Sequence, residues 1–307
     1  MKVSVVITCY TEGDALLRAV NSCKRQTVSN FELLIINDAS PCDQTNRICK
    51  QLEEKQIAGV IWRKENEGLS AARNTGYEEM SGEVCVPLDA DDELPDDCIH
   101  IIQDIFSCES GIGFVFGNYR RINVDDGSSM IVDCSSLSSS SGHLDPKKCL
   151  EHWILYGGSP CRKTTWQAVG GYDQDFSYGG QDVDFWMKVF KEGISGHYIN
   201  STIYHWYRSS GGMNARRSGN VENRLGIVEK NMETYDVLGL RIEGRKKLMK
   251  GYLLAGKYTK AKKYARQLLR MKMVSLPILL VAILPGGISR KCYMTKTVYG
   301  KSRVKAK

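Results

Sequence analysis

The stretch Val84–Cys85–Val86–Pro87–Leu88–Asp89–Ala90–Asp91–Asp92 constrains this chain most. Its apolar half reads as a buried strand, and the strand stops against three carboxylates within four positions. A strand inside an α/β sheet can carry charge only at its carboxyl end, the edge where such sheets bind ligands. Crowded carboxylates repel one another unless water or a cation lies between them, so Asp-x-Asp here points to a Mg²⁺ or Mn²⁺ site. A polar turn leading into a helix begun by Pro95 accounts for the same residues on local grounds, and the stretch alone does not choose between the two.

The surrounding chain alternates strand and helix. Val3–Ile7 reads as a strand followed by the loop Thr8–Gly13, and Asp14 opens a helix with Leu16, Ala19, Val20 and Cys23 on one face. Phe31–Ile36 is a second strand ending in Asn37–Asp38–Ala39–Ser40, and Gly59–Arg63 is a third, leading to Asn66–Gly76. This order predicts an α/β fold with a Rossmann-like, mostly parallel sheet and flanking helices. Neither GxGxxG nor GxxxxGK[ST] is present, so a bound nucleotide has to be held by other means. Phe114–Arg120 reads as a further strand, the serine-rich stretch Asp125–Leu144 as a mobile surface loop, and His197–Ile199 and Thr202–Arg208 as two late strands.

Charge divides the chain. From Arg241 to Lys307 there are 19 Lys and Arg against a single acid, Glu243, whereas the first 240 residues hold 23 against 34. The expected organisation is a catalytic domain over 1–215 (donor-binding about 1–120, acceptor side about 145–215) and a basic helical extension over 216–307. Within that extension Leu248–Leu254 and Ala261–Leu269 read as a helical hairpin. The apolar run Met273–Leu284, broken by Pro277, is shorter than the roughly 20 residues a bilayer span needs. It reads as an interfacial membrane anchor or as a buried core helix against the catalytic domain. The tail lacks an aromatic-interleaved or groove-reading motif, which argues against nucleic acid. The eleven cysteines form no CxxC pair and follow no charged-then-apolar leader, so reduced thiols and a cytoplasmic location, peripheral on the inner membrane face, are expected.

Six segments in order resemble family two of the inverting glycosyltransferases, of GT-A fold and bacterial polysaccharide or lipopolysaccharide type. They are Ser4–Tyr10, Asn37–Ser40, Gly68–Gly76, Leu88–Asp92, Gly170–Asp173 and Gly179–Trp186, spread over roughly the first 215 residues. The resemblance implies transfer of a hexose or N-acetylhexosamine from a nucleoside-diphosphate sugar, UDP favoured, to a hydroxyl of a glycan or lipid-linked acceptor. It implies Asp91 as ligand of a Mn²⁺ or Mg²⁺ on the diphosphate and Asp89 near the ribose, with Ala90 between them. Thr8, Tyr10, Glu12 and Asp38 would line the nucleobase, and Arg73 would assist the diphosphate; a surface cation is the alternative for Arg73. Asp182 matches the catalytic base, with helix capping as its alternative, and Asp92 would cap or support. His205 is a candidate metal ligand. Gly158, Gln181, Trp186 and Arg208 fall on the acceptor side, and Trp186, Trp153 and Tyr178 are candidates to stack on sugars. Two departures matter: Asn37 stands where an acid is usual, and Gln181 stands where Glu usually precedes the base.

Two other readings remain open at this level. One is a nucleotide-sugar-binding protein without turnover; the other is a transferase with a soluble or protein acceptor. An Asp-nucleophile phosphotransferase is disfavoured, because Asp92–Glu93–Leu94–Pro95 does not supply the Gly-Thr-like loop such enzymes place after the Asp pair.

Overall fold

The computed structural model describes residues 1–139, 141–152, 156–177, 179–209, 221–273, 275–285 and 288. The chain divides into two compact units, Met1–Ser218 and Gly219–Lys307.

The first unit is built on strands β1 (Val3–Cys9), β2 (Phe31–Asn37), β3 (Gly59–Trp62) and β4 (Val84–Asp89). They lie side by side in the order β3-β2-β1-β4, all parallel. Every residue of β1 is buried, as a central strand covered on both faces requires. Helices α1 (Asp14–Lys24), α2 (Asp43–Glu54) and α3 (Leu69–Glu79) connect these strands, and α4 (Cys98–Cys108) follows β4. In α1, Leu16, Ala19, Val20 and Cys23 are buried, the stripe that a helical period turns toward a sheet. Register brings the strand ends level: Cys9 pairs with Asn37, Asn37 with Trp62, and Thr8 with Asp89. That shared carboxyl edge carries the candidate site.

Beyond β4 the sheet turns antiparallel through β7 (Cys161–Arg162) to β5 (Phe114–Asn123), which pairs with β6 (Ser129–Val132) and, in parallel, with β8 (Gly196–Arg208). Helices α5 (Pro146–His152), α6 (Lys163–Ala168) and α7 (Gln181–Lys191) complete the unit. The result is a mixed, mostly parallel α/β sheet with flanking helices.

Three local expectations change. The two late strands are one, β8, interrupted by a register shift opposite Gly117–Tyr119. The serine-rich stretch is organised rather than structureless: the Asn118 side-chain oxygen accepts from the Cys134 N–H at 2.8 Å and the Tyr198 hydroxyl at 2.9 Å, and Cys134, Leu137 and Leu144 are buried. Composition could not reveal this, because a polar side chain of β5 supplies the anchor. Finally, α4 begins at Cys98 rather than at Pro95.

The second unit holds α8 (Val221–Lys230), α9 (Met232–Val237), α10 (Arg241–Leu254), α11 (Tyr258–Arg270) and α12 (Leu276–Ile283). Helices α10 and α11 form the expected hairpin, with Leu248, Tyr252, Ala261, Ala265 and Leu268 buried. Ile278, Val281 and Ala282 of α12 are buried as well. Among the described residues no helix is long and apolar enough to cross a membrane, and all ten cysteines are free thiols.

Candidate active site

Asp89 closes β4, and the chain turns at once, the Asp92 N–H donating to the Asp89 carbonyl at 3.0 Å. Asp91 faces solvent while Asp92 is 2% exposed, so the three carboxylates have separate fates. Although the residue is exposed, partial burial of its carboxyl, then the like charges of Asp89 and Glu12, push that carboxyl up to about 6. Glu12 is raised as well, by burial first and then against backbone N–H donors that include Tyr10, whose N–H lies 2.5 Å from Oε2. Glu12, Asp89 and Asp91 are thus an anionic wall of hard oxygens. That donor chemistry fits Mg²⁺ or Mn²⁺ held by one or two carboxylates. Among the described residues no group of three or more His, Cys, Asp or Glu side chains converges as a protein cage.

Asp92 was expected to cap the next helix or support the site. It caps nothing: its oxygens accept from the Tyr204 hydroxyl at 2.8 Å and the Tyr207 N–H at 2.7 Å. Burial, then Asp91 and Asp89, raise its carboxyl well above the usual range.

Arg73 is the hinge of the site. Its side chain is 4% exposed, which rules out the surface-cation alternative. One Nη donates to Asp89 Oδ1 at 2.7 Å, and the guanidinium lies 5.5 Å from the Tyr172 ring centre. Burial would favour losing the proton, but Asp89, Tyr172 and Asp182 reverse that and hold it charged. Its Nε and second Nη have no hydrogen-bond partner among the described residues. Neighbouring positions on the same helical face do related work: Ser70 donates to the Asp173 carbonyl at 2.8 Å, and Asn74 exchanges two 2.8 Å hydrogen bonds with the Tyr172 main chain. The Gly68–Gly76 segment is therefore a clamp on the Gly170–Asp173 turn that precedes α7.

Asp182 stands in the first turn of α7, entered through Gly180 at φ 86°, a left-handed conformation that glycine adopts without strain. Burial raises its carboxyl, Arg73 and the Val183 N–H (2.9 Å) pull it down, and Asp89 pushes it up again. A carboxyl raised this way holds a proton more readily at neutral pH than an ordinary one. Gln181 is 8% exposed with its Oε1 unpartnered among the described residues.

Other expected residues fall into two groups. Thr8, Tyr10 and Glu12 lie at or just beyond the end of β1, beside Asp89, and Ala90 is buried, offering main chain only. Asp38 is engaged elsewhere: its oxygens accept from the Arg63 guanidinium and, at 3.1 Å, from the Gly68 N–H, joining the end of β2 to the start of α3. These two contacts use part of its accepting capacity and fix its place at the sheet edge. Asn37 is buried and donates to Asn46 Oδ1 at 2.9 Å while accepting from the Ser40 N–H at 2.8 Å, a pairing no carboxylate could replace at the donor end.

Trp186 is not a sugar platform. Helical period turns it inward, where it is 1% exposed, 4.7 Å from the Phe114 ring and 5.0 Å from Phe185, with its indole N–H toward the Tyr156 carbonyl at 3.4 Å. His205 pairs through its backbone with Glu93, and burial, then Arg120, lower its basicity against Glu93 and Asp96. That setting gives its expected metal role no support. Arg208 is exposed at the end of β8. Trp153, Tyr178 and Ser210–Met213 lie outside the described residues.

Gly158 and Gly157 are explained by approach distance. A Cβ on Gly158 would lie 2.3 Å from the Tyr204 ring, and one on Gly157 would lie 2.4 Å from Arg73 Nη1. Sequence reading missed Tyr204, Arg18 and Glu93. The i, i+3, i+4 spacing of Ser70, Arg73 and Asn74 is a signal that could have pointed to the clamp.

Comparison with known proteins agrees with this architecture. The chain is 33% identical over 127 residues to glycosyltransferase GlyA of Streptococcus pneumoniae, covering 41% of this chain and 18% of that one. It is 31% identical over 139 residues to an uncharacterized glycosyltransferase of Nostoc, alr2836, covering 44% and 41%. The chain thus spans less than half the length of either relative. Residues 1–349 of S. aureus TarS, solved in complex with UDP-GlcNAc, superpose with a TM-score of 0.72 over 99% of this chain and 93% of theirs, at 14% identity, which establishes a shared GT-A fold. The family profile described as Glycosyl transferase family 2 matches residues 4–159, from Thr8 through Gly158 but short of Asp182. With half of its length so matched, and with the carboxylates of β4 at the sheet edge where that fold binds, the chain belongs to glycosyl transferase family 2.

Proposed function

We propose that this chain is an inverting, metal-assisted glycosyltransferase that moves a sugar from a UDP-sugar to a hydroxyl of a glycan or lipid-linked acceptor. The observation that carries the reading is the buried Arg73, hydrogen-bonded to Asp89 on the donor side, whose charge also acts on Asp182 at the start of α7. A donor-side anion and a raised carboxyl sharing one buried cation is the pairing a transfer from diphosphate to hydroxyl needs. The complex of TarS with UDP-GlcNAc supports a uridine nucleotide.

Thr8, Tyr10 and Glu12 border the nucleoside, and Asp89 faces the ribose. A divalent cation at Asp91, when bound, supplies positive charge to the departing diphosphate. Asp182 accepts the acceptor hydroxyl proton as that oxygen attacks the anomeric carbon. The carbon–oxygen bond to the diphosphate breaks on the opposite face, its electron pair leaves with the diphosphate, and configuration inverts. Arg73 keeps Asp182 ionised enough to take the proton.

The second unit suggests where this happens. Lys260, Lys263, Arg266 and Arg270 are exposed along α11 at helical spacing, a strip suited to anionic lipid headgroups on the cytoplasmic membrane face.

Hydrolysis of a panel of nucleoside-diphosphate sugars, with and without Mn²⁺ and with Asp91→Ala beside the wild type, tests the reading. Metal-dependent cleavage of one donor, lost in Asp91→Ala, is expected. Neither binding nor cleavage of any donor overturns it.

A further inference from the structure

We infer that the Tyr204 hydroxyl, together with the Arg18 guanidinium, staples the Asp89–Asp92 turn and so presets the Asp91 carboxylate for a divalent cation; this rests on the metal-assisted reading above. Tyr204 reaches the turn from β8, and it is 3% exposed. Its oxygen accepts from the Asp89 N–H at 3.2 Å and donates to Asp92 Oδ2 at 2.8 Å. One atom therefore ties down the residues on both sides of Asp91. The turn's own hydrogen bond, Asp92 N–H to Asp89 carbonyl, closes the loop.

Arg18 completes the arrangement from α1, donating to the Asp91 carbonyl itself. It is held in turn by Glu93, with Nε 3.4 Å from Oε1, and by the Tyr207 ring, 4.1 Å below the guanidinium. Glu93 also accepts from Arg25 at 2.9 Å and from the Tyr207 hydroxyl at 2.8 Å. These contacts reach Asp91 only through its main chain and leave its carboxylate to a ligand. A loop ordered during folding does not have to be ordered again when a cation binds. Tyr204 cannot itself touch that cation, since both roles of its hydroxyl are taken and its ring is packed against Gly158 and, at 5.2 Å, Tyr156. It is a positioning residue.

The test is a Mn²⁺ titration followed by electron paramagnetic resonance in the presence of UDP, with metal-free UDP binding measured alongside. It uses the full chain, Tyr204→Phe, the partly exposed Arg18→Met, and Tyr198→Phe as a control whose lost hydroxyl contacts Asn118 instead. Tyr204→Phe and Arg18→Met should each weaken Mn²⁺ affinity by about tenfold or more, as loss of a ligand's supporting partners does. Metal-free UDP binding and the Tyr198→Phe control should stay at wild-type values. Unchanged Mn²⁺ affinity in both variants overturns the staple. So does a parallel loss of metal-free UDP binding, which would mark general damage. A wild-type chain that takes up no Mn²⁺ with UDP overturns the metal-assisted reading underneath.

Discussion

The turn after β4 and the entry to α7 both present a carboxylate at the site, and they are built on opposite plans. Around Asp91 every flanking group is tied: Asp89 to Tyr204 and Arg73, Asp92 to Tyr204 and Tyr207, and the Asp91 carbonyl to Arg18. Around Asp182 the ties are few, with Oδ1 held by the adjacent Val183 N–H and the Gln181 oxygen unpartnered among the described residues. The difference teaches that the turn after β4 is ordered during folding, whereas among the described residues the entry to α7 keeps polar groups open, as the proposed acceptor side would need. Arg73 acts on both, bonded to Asp89 and lowering Asp182.

The sharpest way to break this contrast is Asp182→Asn. It should lower transfer by roughly 10²–10⁴-fold, the usual worth of a general base, while UDP binding stays unchanged in a calorimetric titration. A matching loss of UDP binding would show that the two sides are not separable.

Gly158→Ala attacks the donor side through its packing. The new methyl would meet the Tyr204 ring, and such overpacking costs about 1–3 kcal/mol. A lowered Tm with a raised donor KM is expected; an unshifted Tm would mean the turn yields freely.

Arg73→Gln tests the link. Asp182 is raised by burial and lowered by Arg73, so removing the cation lets its pKa climb further. Because the ionised base is the active form, the acid limb of the pH–rate profile should move upward, by on the order of one pH unit. A stationary limb would uncouple the two carboxylates.

The smallest effect is expected from Gln181→Glu. A second negative charge beside Asp182 favours its protonated form, so the same acid limb should shift upward by less than the Arg73 variant moves it, with Mn²⁺ affinity unaffected. A downward shift would reverse the sign of the local field.

Much of the site was legible because its residues sit at element ends. The strand ending in Asp89 and the helix entered through Gly180 follow from apolar period and glycine placement, which are local properties. The misreadings share a cause as well. Trp186 reads along the chain as a candidate to stack on a sugar, and it is the fold that brings Phe114 of β5 against it and makes it core. The serine-rich stretch was read as mobile because its anchor, Asn118, belongs to another element.

The sequence by itself determined the alternation of strand and helix, the carboxylates at the end of β4, the basic character of the second unit and the hairpin within it, since each depends on spacing or composition along a few turns of chain. Tertiary structure alone decided that Asp91 stays open while Asp92 is buried, that Arg73 bonds Asp89 with its charge also felt by Asp182, and that Tyr204 reaches back to hold the turn. Those outcomes depend on hydrogen bonds and charges between segments that only the folded sheet brings within reach, and such forces fall off too steeply with distance to leave a trace in the order of residues.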